Sequence, residues 1–98
     1  MSYCYIIYSK KIDRFYVGSC QGDLNDRINK HNTSFYEGQH YTSQASDWQL
    51  HLSISCESFL QARKIENHIK AMKSRKYLTD LKSYPDMIEK LLFRFGEK

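Results

Sequence analysis

The amino-acid sequence predicts a small α+β domain, on three observations. Two β-branched and aromatic runs, YCYIIY from Tyr3 to Tyr8 and FYVGS from Phe15 to Ser19, are separated by a short polar segment. An antiparallel hairpin is the economical way to join strands so close together. A third run, WQLHLSIS from Trp48, alternates apolar and polar residues as a half-buried strand does, and other segments carry apolar residues at helical spacing.

In the first strand, alternation puts Tyr3, Tyr5 and Ile7 on one face and Cys4, Ile6 and Tyr8 on the other. Ser9 to Arg14, with Asp13, reads as the turn. In the returning strand Tyr16 and Gly18 share a face, and Phe15 and Val17 share its opposite, so Tyr5 and Tyr16 can lie on one surface. Gly18 marks a place where backbone leaves the sheet or another group comes close. Gly22-Asp23 reads as a turn and N-cap for a helix over DLNDRINKHN. There Leu24 and Ile28 face the core, while Arg27 and His31, one turn apart, emerge together.

Residues 33 to 47 are polar and read as a long surface loop, a common place for binding. The third strand then offers Trp48, Leu50, Leu52 and Ile54 to the core. SFLQ, from Ser58, fits a capping box ahead of a helix that buries Phe59, Ala62, Ile65, Ile69 and Met72. Glu66 and Lys70, one turn apart, border that stripe. Tyr77 to Leu81 continues or restarts the helix. Pro85 is well placed as the first residue of a last helix over 85–95, with Met87, Ile88, Leu91, Leu92 and Phe95 on its apolar side. No repeat or second domain is visible, so 1–98 reads as one domain.

The totals narrow the function classes. The 98 residues suffice for one modest core. The 14% aromatic content, mostly tyrosine, suits a half-wet groove, because the ring packs while the hydroxyl needs a partner. The net charge of +4 points weakly to an anionic partner. Its distribution says more: Arg63, Lys64, Lys70, Lys73, Arg75 and Lys76 lie close together with Glu66 as the lone acid among them. Cys4, Cys20 and Cys56 form no CxxC pair, which argues against a disulfide framework and for a reducing compartment. His31, His40, His51 and His68 lack the paired spacing of zinc ligands. With no signal-peptide pattern and no membrane-length apolar run, the chain reads as cytoplasmic, with no membrane partner.

These residues can be assembled into a chemistry. Metal-assisted phosphodiester hydrolysis needs a ligand for a hard cation, which Glu66 can be. It needs a cation against the charge gathering on phosphate, for which a guanidinium such as Arg27 is suited. It needs a group to deprotonate water, and a tyrosine, with a reference pKa of about 10, serves only where a metal or cation lowers that value. Each residue also has a plain structural use. Tyr5 and Tyr16 are ordinary strand packing, Arg27 is a surface charge, and Glu66 with Lys70 is a helix-supporting pair. The residues alone therefore support a basic α+β domain with affinity for nucleic acid.

Their order adds to this. The chain resembles the GIY-YIG nuclease family, specifically its small stand-alone members related to the N-terminal domain of the excinuclease C subunit. YCY, ending at Tyr5, stands in the GIY position, and YVG, Tyr16 to Gly18, in the YIG position. The arginine of the family's first helix falls on Arg27, and a frequent histidine one turn later on His31. The A-x-x-x-E-x-x-x-K pattern of a later helix is met by Ala62, Glu66 and Lys70. The segment HYTSQASDWQL, with Tyr41 and Thr42, resembles the approach to the third strand in such members. The resemblance covers about residues 3–80 and leaves the last helix outside.

The resemblance implies a three-stranded antiparallel sheet flanked by helices. It implies a DNA endonuclease, in repair or recombination, using one Mg²⁺ or Mn²⁺ held by Glu66. Tyr5 or Tyr16 would activate or position water, Arg27 would stabilise the transition state, and His31 would complete the catalytic set. Lys70, Lys73, Arg75, Lys76, Tyr41 and Thr42 would contact the nucleic acid, with RNA as a further substrate to test. A chain this short has little room for base-specific readout beside a catalytic face, which directs specificity to DNA shape, a partner protein or a homodimer. The sequence also departs from the family pattern. YCY replaces GIY, one extra residue falls between Gly18 and Arg27, and a late asparagine has no match. Ser19 and Cys20 stand where some members carry a lysine proposed to help the tyrosine lose its proton. The altered first motif and the missing lysine motivate the alternative, a domain that binds nucleic acid with little or no turnover.

Overall fold

The computed structural model describes residues 1–33 and 45–96. The elements in order are β1 (Ser2–Ser9), β2 (Arg14–Gln21), α1 (Leu24–Asn32), β3 (Gln49–Cys56), α2 (Phe59–Met72), α3 (Arg75–Ser83) and α4 (Pro85–Arg94). The strands form one antiparallel sheet in the order β2-β1-β3, so the fold is α+β as the sequence predicts. His40, Tyr41, Thr42 and most of the expected long loop lie outside the described residues.

The central position of β1 explains its unbroken run YCYIIY. With helices over both faces, Cys4, Tyr5, Ile6 and Ile7 are all at most 1% exposed, and a strand covered on both sides has no polar face to show. Cys4 and Ile6 join Val17, Ile54, Ala62, Ile65, Ile69, Leu81 and Leu91 in the core under α2, α3 and α4. Tyr5 and Ile7 join Cys20 and Trp48 on the α1 face, against Leu24 and Ile28. Burying each isoleucine of α2 stabilises the fold by about 1.5–3 kcal/mol.

The connections are tied by side chains. At the β1–β2 turn Asp13 takes a left-handed φ of 52°, a conformation that aspartate tolerates better than most residues. Its carboxylate accepts from the Tyr8 hydroxyl and from Arg75 at the start of α3. Buried Ser9 donates to Asp47, which also accepts the Lys11 N–H, so the turn is clipped to the approach to β3. Gly22, at φ +90°, supplies the bend before Asp23 caps α1 by accepting from the N–H groups of Asn25 and Asp26. At the other end of α1, the Asn32 amide bonds both backbone groups of Trp48.

The structure differs from the sequence reading at the third strand. A register shift opposite Ile6 and Ile7 pairs them with Leu52 and Leu50, leaving His51 as an extra residue. The bulge swaps faces. Leu52 and Ile54 pack under α2, whereas Trp48 packs on the α1 side and Leu50 is 45% exposed. Met72, expected in the core, is also 45% exposed, because α2 ends there with Lys73 in a left-handed cap and the chain turns away. Ser58 caps α2 as expected, but the Gln61 side chain reaches the Glu57 N–H and donates to the Leu92 carbonyl, tying α2 to α4. Ser74 caps α3, so the helix restarts rather than continues, and Pro85 opens α4.

Candidate active site

Four elements deliver their polar residues to one open cavity of about 190 Å³ along the β2 edge. β1 contributes Tyr5, β2 Tyr16, Gly18 and Ser19, α1 Arg27, and α2 Phe59, Arg63 and Glu66. Tyr5 belongs to the central strand, so its ring must cross the edge strand to reach this cavity. Gly18, its partner in the sheet register, makes that crossing feasible. A Cβ at Gly18 would stand 2.6 Å from the Tyr5 hydroxyl and 2.7 Å from Cζ.

The Tyr5 hydroxyl lies 2.9 Å from Nε2 of His31, with Nε of Arg27 3.5 Å away. Arg27 Nε donates to the Tyr5 hydroxyl, which leaves that hydroxyl's own proton for Nε2 of His31 when this nitrogen is the acceptor. His31 is buried and does not line the cavity. It wedges between the two tyrosines, with ring centroids 5.9 Å from Tyr5 and 5.2 Å from Tyr16. Burial pushes the Tyr5 phenol well above its ordinary range, and the Arg27 hydrogen bond and charge offset this only in part. Tyr5 therefore keeps its proton at neutral pH. Tyr16 is more exposed, and the Lys70 ammonium stands 5.6 Å from its ring centroid.

Glu66 is the acid of the site and only 9% exposed. A carboxylate so buried stays ionised at reasonable cost only if it is paired and hydrogen-bonded. Ser19 Oγ donates to Oε1 and Lys70 Nζ to Oε2, each at 2.6 Å, and Arg63 Nε lies 3.8 Å from Oε1. The sequence reading missed Ser19 and Arg63. Both had a signal: Arg63 is three residues before Glu66 on the same helix face, and Ser19 alternates away from Gly18 toward α2.

The expected nucleic-acid contacts divide. Lys70, Lys73 and Arg75 line a second cavity, of about 350 Å³, whose apolar wall is Phe15, Val17, Ile69 and Leu78. Lys76 instead pairs with Asp80 at 2.9 Å, outside that lining. Arg75 forks onto Asp13 at 2.9 and 3.3 Å and lies over the Phe15 ring. This guanidinium, with the Tyr8 hydroxyl, lowers the Asp13 carboxyl to about 2.

Comparison with known families decides the classification, since the GIY-YIG catalytic domain matches residues 1–78. The chain belongs to the GIY-YIG family. Its members are endonucleases, so this GIY-YIG chain carries a nuclease domain and its substrate class is nucleic acid. No curated protein and no solved structure matches the chain. The match runs from β1 into α3, and α4 lies beyond it. Within this GIY-YIG domain the two name-giving motifs face each other across the hairpin, with Tyr5 paired to Gly18 and Tyr16 to Ile7. No helix among the described residues is long and apolar enough to cross a membrane.

Proposed function

We propose that this GIY-YIG domain is a DNA endonuclease that hydrolyses phosphodiester bonds with one Mg²⁺ or Mn²⁺ held by Glu66. The observation that carries this reading is the convergence of Tyr5, Tyr16, Arg27 and Glu66, from four separate elements, on one cavity. The donor set fits a hard cation bound sparingly. Among the described residues no group of three or more His, Cys, Asp or Glu could hold a metal, and Mg²⁺ is commonly held by one or two carboxylates plus water and substrate phosphate. Each oxygen of Glu66 accepts one hydrogen bond, and a carboxylate has about four acceptor sites in all. Such an ion supplies Lewis acidity to the phosphate and acidifies water.

The chain's own residues do the rest. Arg27 opposes the charge that gathers on the phosphate oxygens as water attacks phosphorus and the leaving P–O bond breaks. Tyr16, open to the cavity and beside Lys70, accepts a hydrogen bond from the attacking water and orients it toward phosphorus. Tyr5, kept protonated by burial, accepts the Arg27 hydrogen bond and so fixes that guanidinium, with His31 against both rings. Ser19 and Lys70 set the direction in which Glu66 points.

The test is incubation with plain, nicked and branched DNA, and with RNA, with and without metal. Metal-dependent DNA products are expected, reduced at least about 100-fold by Glu66→Ala, because a metal contributes several kcal/mol. A preference for nicked or branched DNA would support a role in repair or recombination. One observation favours a second reading, a binding domain with little turnover: Ser19 and Lys70 already engage both oxygens of Glu66. The absence of any product, with wild type and Glu66→Ala alike, would decide for it.

A further inference from the structure

We propose that the second cavity, between β2 and the junction of α2 with α3, receives one unpaired nucleobase adjacent to the phosphate being cut. This rests on the nuclease reading of the neighbouring site and names a part of its substrate. The two cavities share elements. Val17 follows Tyr16 on β2 but points to the opposite face, and Ile69 lies three residues after Glu66 on α2. Their nearest lining residues on α2, Glu66 and Ile69, are about 4.5 Å apart along the helix axis, so consecutive nucleotides can reach both. Lys70 joins the two: it lines the second cavity, and its ammonium bonds Glu66 in the first.

The chemistry of the lining selects the occupant. At about 350 Å³ the cavity falls at the lower end of the range for small-molecule sites. Its floor of Phe15, Val17, Ile69 and Leu78 is apolar, which suits the flat face of a base and not a phosphate. Arg14, Lys70, Lys73 and Arg75 line it too, against the single carboxylate of Asp13, which suits the anionic backbone on either side of that base. Phe15 is held by the Tyr8 ring at 4.7 Å and the His51 ring edge-on at 5.0 Å, and the exposed Arg75 guanidinium, 5.3 Å over the ring, shifts aside for a base to lie there. His51 holds its own position by bonding the Leu78 carbonyl. A base inside a duplex has both faces stacked, so only an unpaired or flipped base can lie on such a floor. The substrate class is therefore DNA with a single-stranded arm, gap or displaced nucleotide at the cut.

The test varies the DNA and leaves the protein intact. Affinity of the wild-type protein, in EDTA, is measured for a flapped duplex in which a single abasic nucleotide is walked across the junction, and cleavage of the same set is followed with Mg²⁺. A loss of about fivefold to a hundredfold at one position is expected, the value of one stacked base, with the others unchanged. Leu78→Gln is expected to erase that position-specific loss while keeping the salt dependence of binding. Phe15→Leu, which stays apolar, repeats the check should Leu78→Gln melt early. A flat abasic profile with normal binding and cleavage overturns the nucleobase site and leaves the nuclease reading standing. A dip that survives both variants overturns it too, since the base then lies elsewhere. Failure to bind or cut any of these DNAs removes the nuclease reading, and this inference with it.

Discussion

The two cavities on the β2 edge differ in how their charges are held. At the first, Glu66 is buried and bonded by Ser19 and Lys70, and Tyr5 is buried against His31 and Arg27. At the second, Asp13 and Arg75 pair in the open, with side chains 62% and 57% exposed. A charge pair in water is worth little and shifts readily, whereas a buried carboxylate such as Glu66, though its Lys70 partner is half-exposed, is expensive to leave without its bonds and so is held in direction. Chemistry on a phosphate needs the fixed kind, because the catalytic groups must already point at the charge that develops. Gripping a flexible strand needs only the loose kind. The contrast predicts that substitutions at the first cavity act on rate and those at the second on affinity.

Gly18→Ala tests the fixed side most severely. The added Cβ collides with the Tyr5 ring, and overpacking of this sort costs about 1–3 kcal/mol of stability. A misplacement of about 1 Å at a catalytic group costs roughly 100-fold in rate. Cleavage should therefore fall about 100-fold with binding little changed, as measured by single-turnover kinetics beside a melting curve. A loss confined to affinity would break the contrast.

Ser19→Ala removes one of the hydrogen bonds that orient Glu66. Outer partners of metal-ligating carboxylates are worth about 10–100-fold in metal affinity or activity. The expected outcome is an apparent Mn²⁺ affinity weaker by about tenfold, read by metal titration of the cleavage rate.

On the loose side, Lys73→Gln should weaken binding equally for all DNA sequences. The slope of log affinity against log salt should become shallower by about 0.7–0.9, with the single-turnover rate at saturation unchanged. Fluorescence anisotropy across a salt series reads this directly.

The smallest effect concerns Asp13. Its carboxyl is depressed to about 2, first by the Arg75 hydrogen bond and then by that of Tyr8. A depressed folded-state value means that the group stabilises the fold above its ordinary 3.8 and that this contribution is lost as pH falls toward 2. Arg75→Ala should move the carboxyl back up toward 3.8, seen by NMR titration. It should also flatten the acid limb of stability in that window.

How much of this was legible in the sequence follows from how local each signal is. The hairpin was readable because YCYIIY and FYVGS alternate cleanly and lie close together, and the starts of α1, α2 and α4 because Asp23, Ser58 and Pro85 sit at their heads. The β3 bulge was not, because Trp48, Leu50, Leu52 and Ile54 keep perfect alternation while His51 slips the register. Only the pairing with β1 reveals where the faces swap. In the site, the residues with unusual chemistry for their surroundings stood out: two tyrosines, an arginine and a lone acid in a basic helix. Ser19 did not, since a serine near a strand end resembles any other until the packing of α2 brings Glu66 to it.

The bond from Gln61 to the Leu92 carbonyl ties the helix that carries Glu66 to α4. The family match ends at residue 78, yet Leu81 and Leu91, at 0% and 5% exposure, lie in the core beneath α2, and Gln61 anchors the first turn of the helix that carries Glu66. A buried amide stripped of its acceptor costs about 1–3 kcal/mol, on top of the apolar surface uncovered. The stretch by which the family is recognised is thus shorter than the stretch that must fold for Glu66 to be aimed. Amide protons on α2 should open to exchange together with α4, not with the β1–β2 turn.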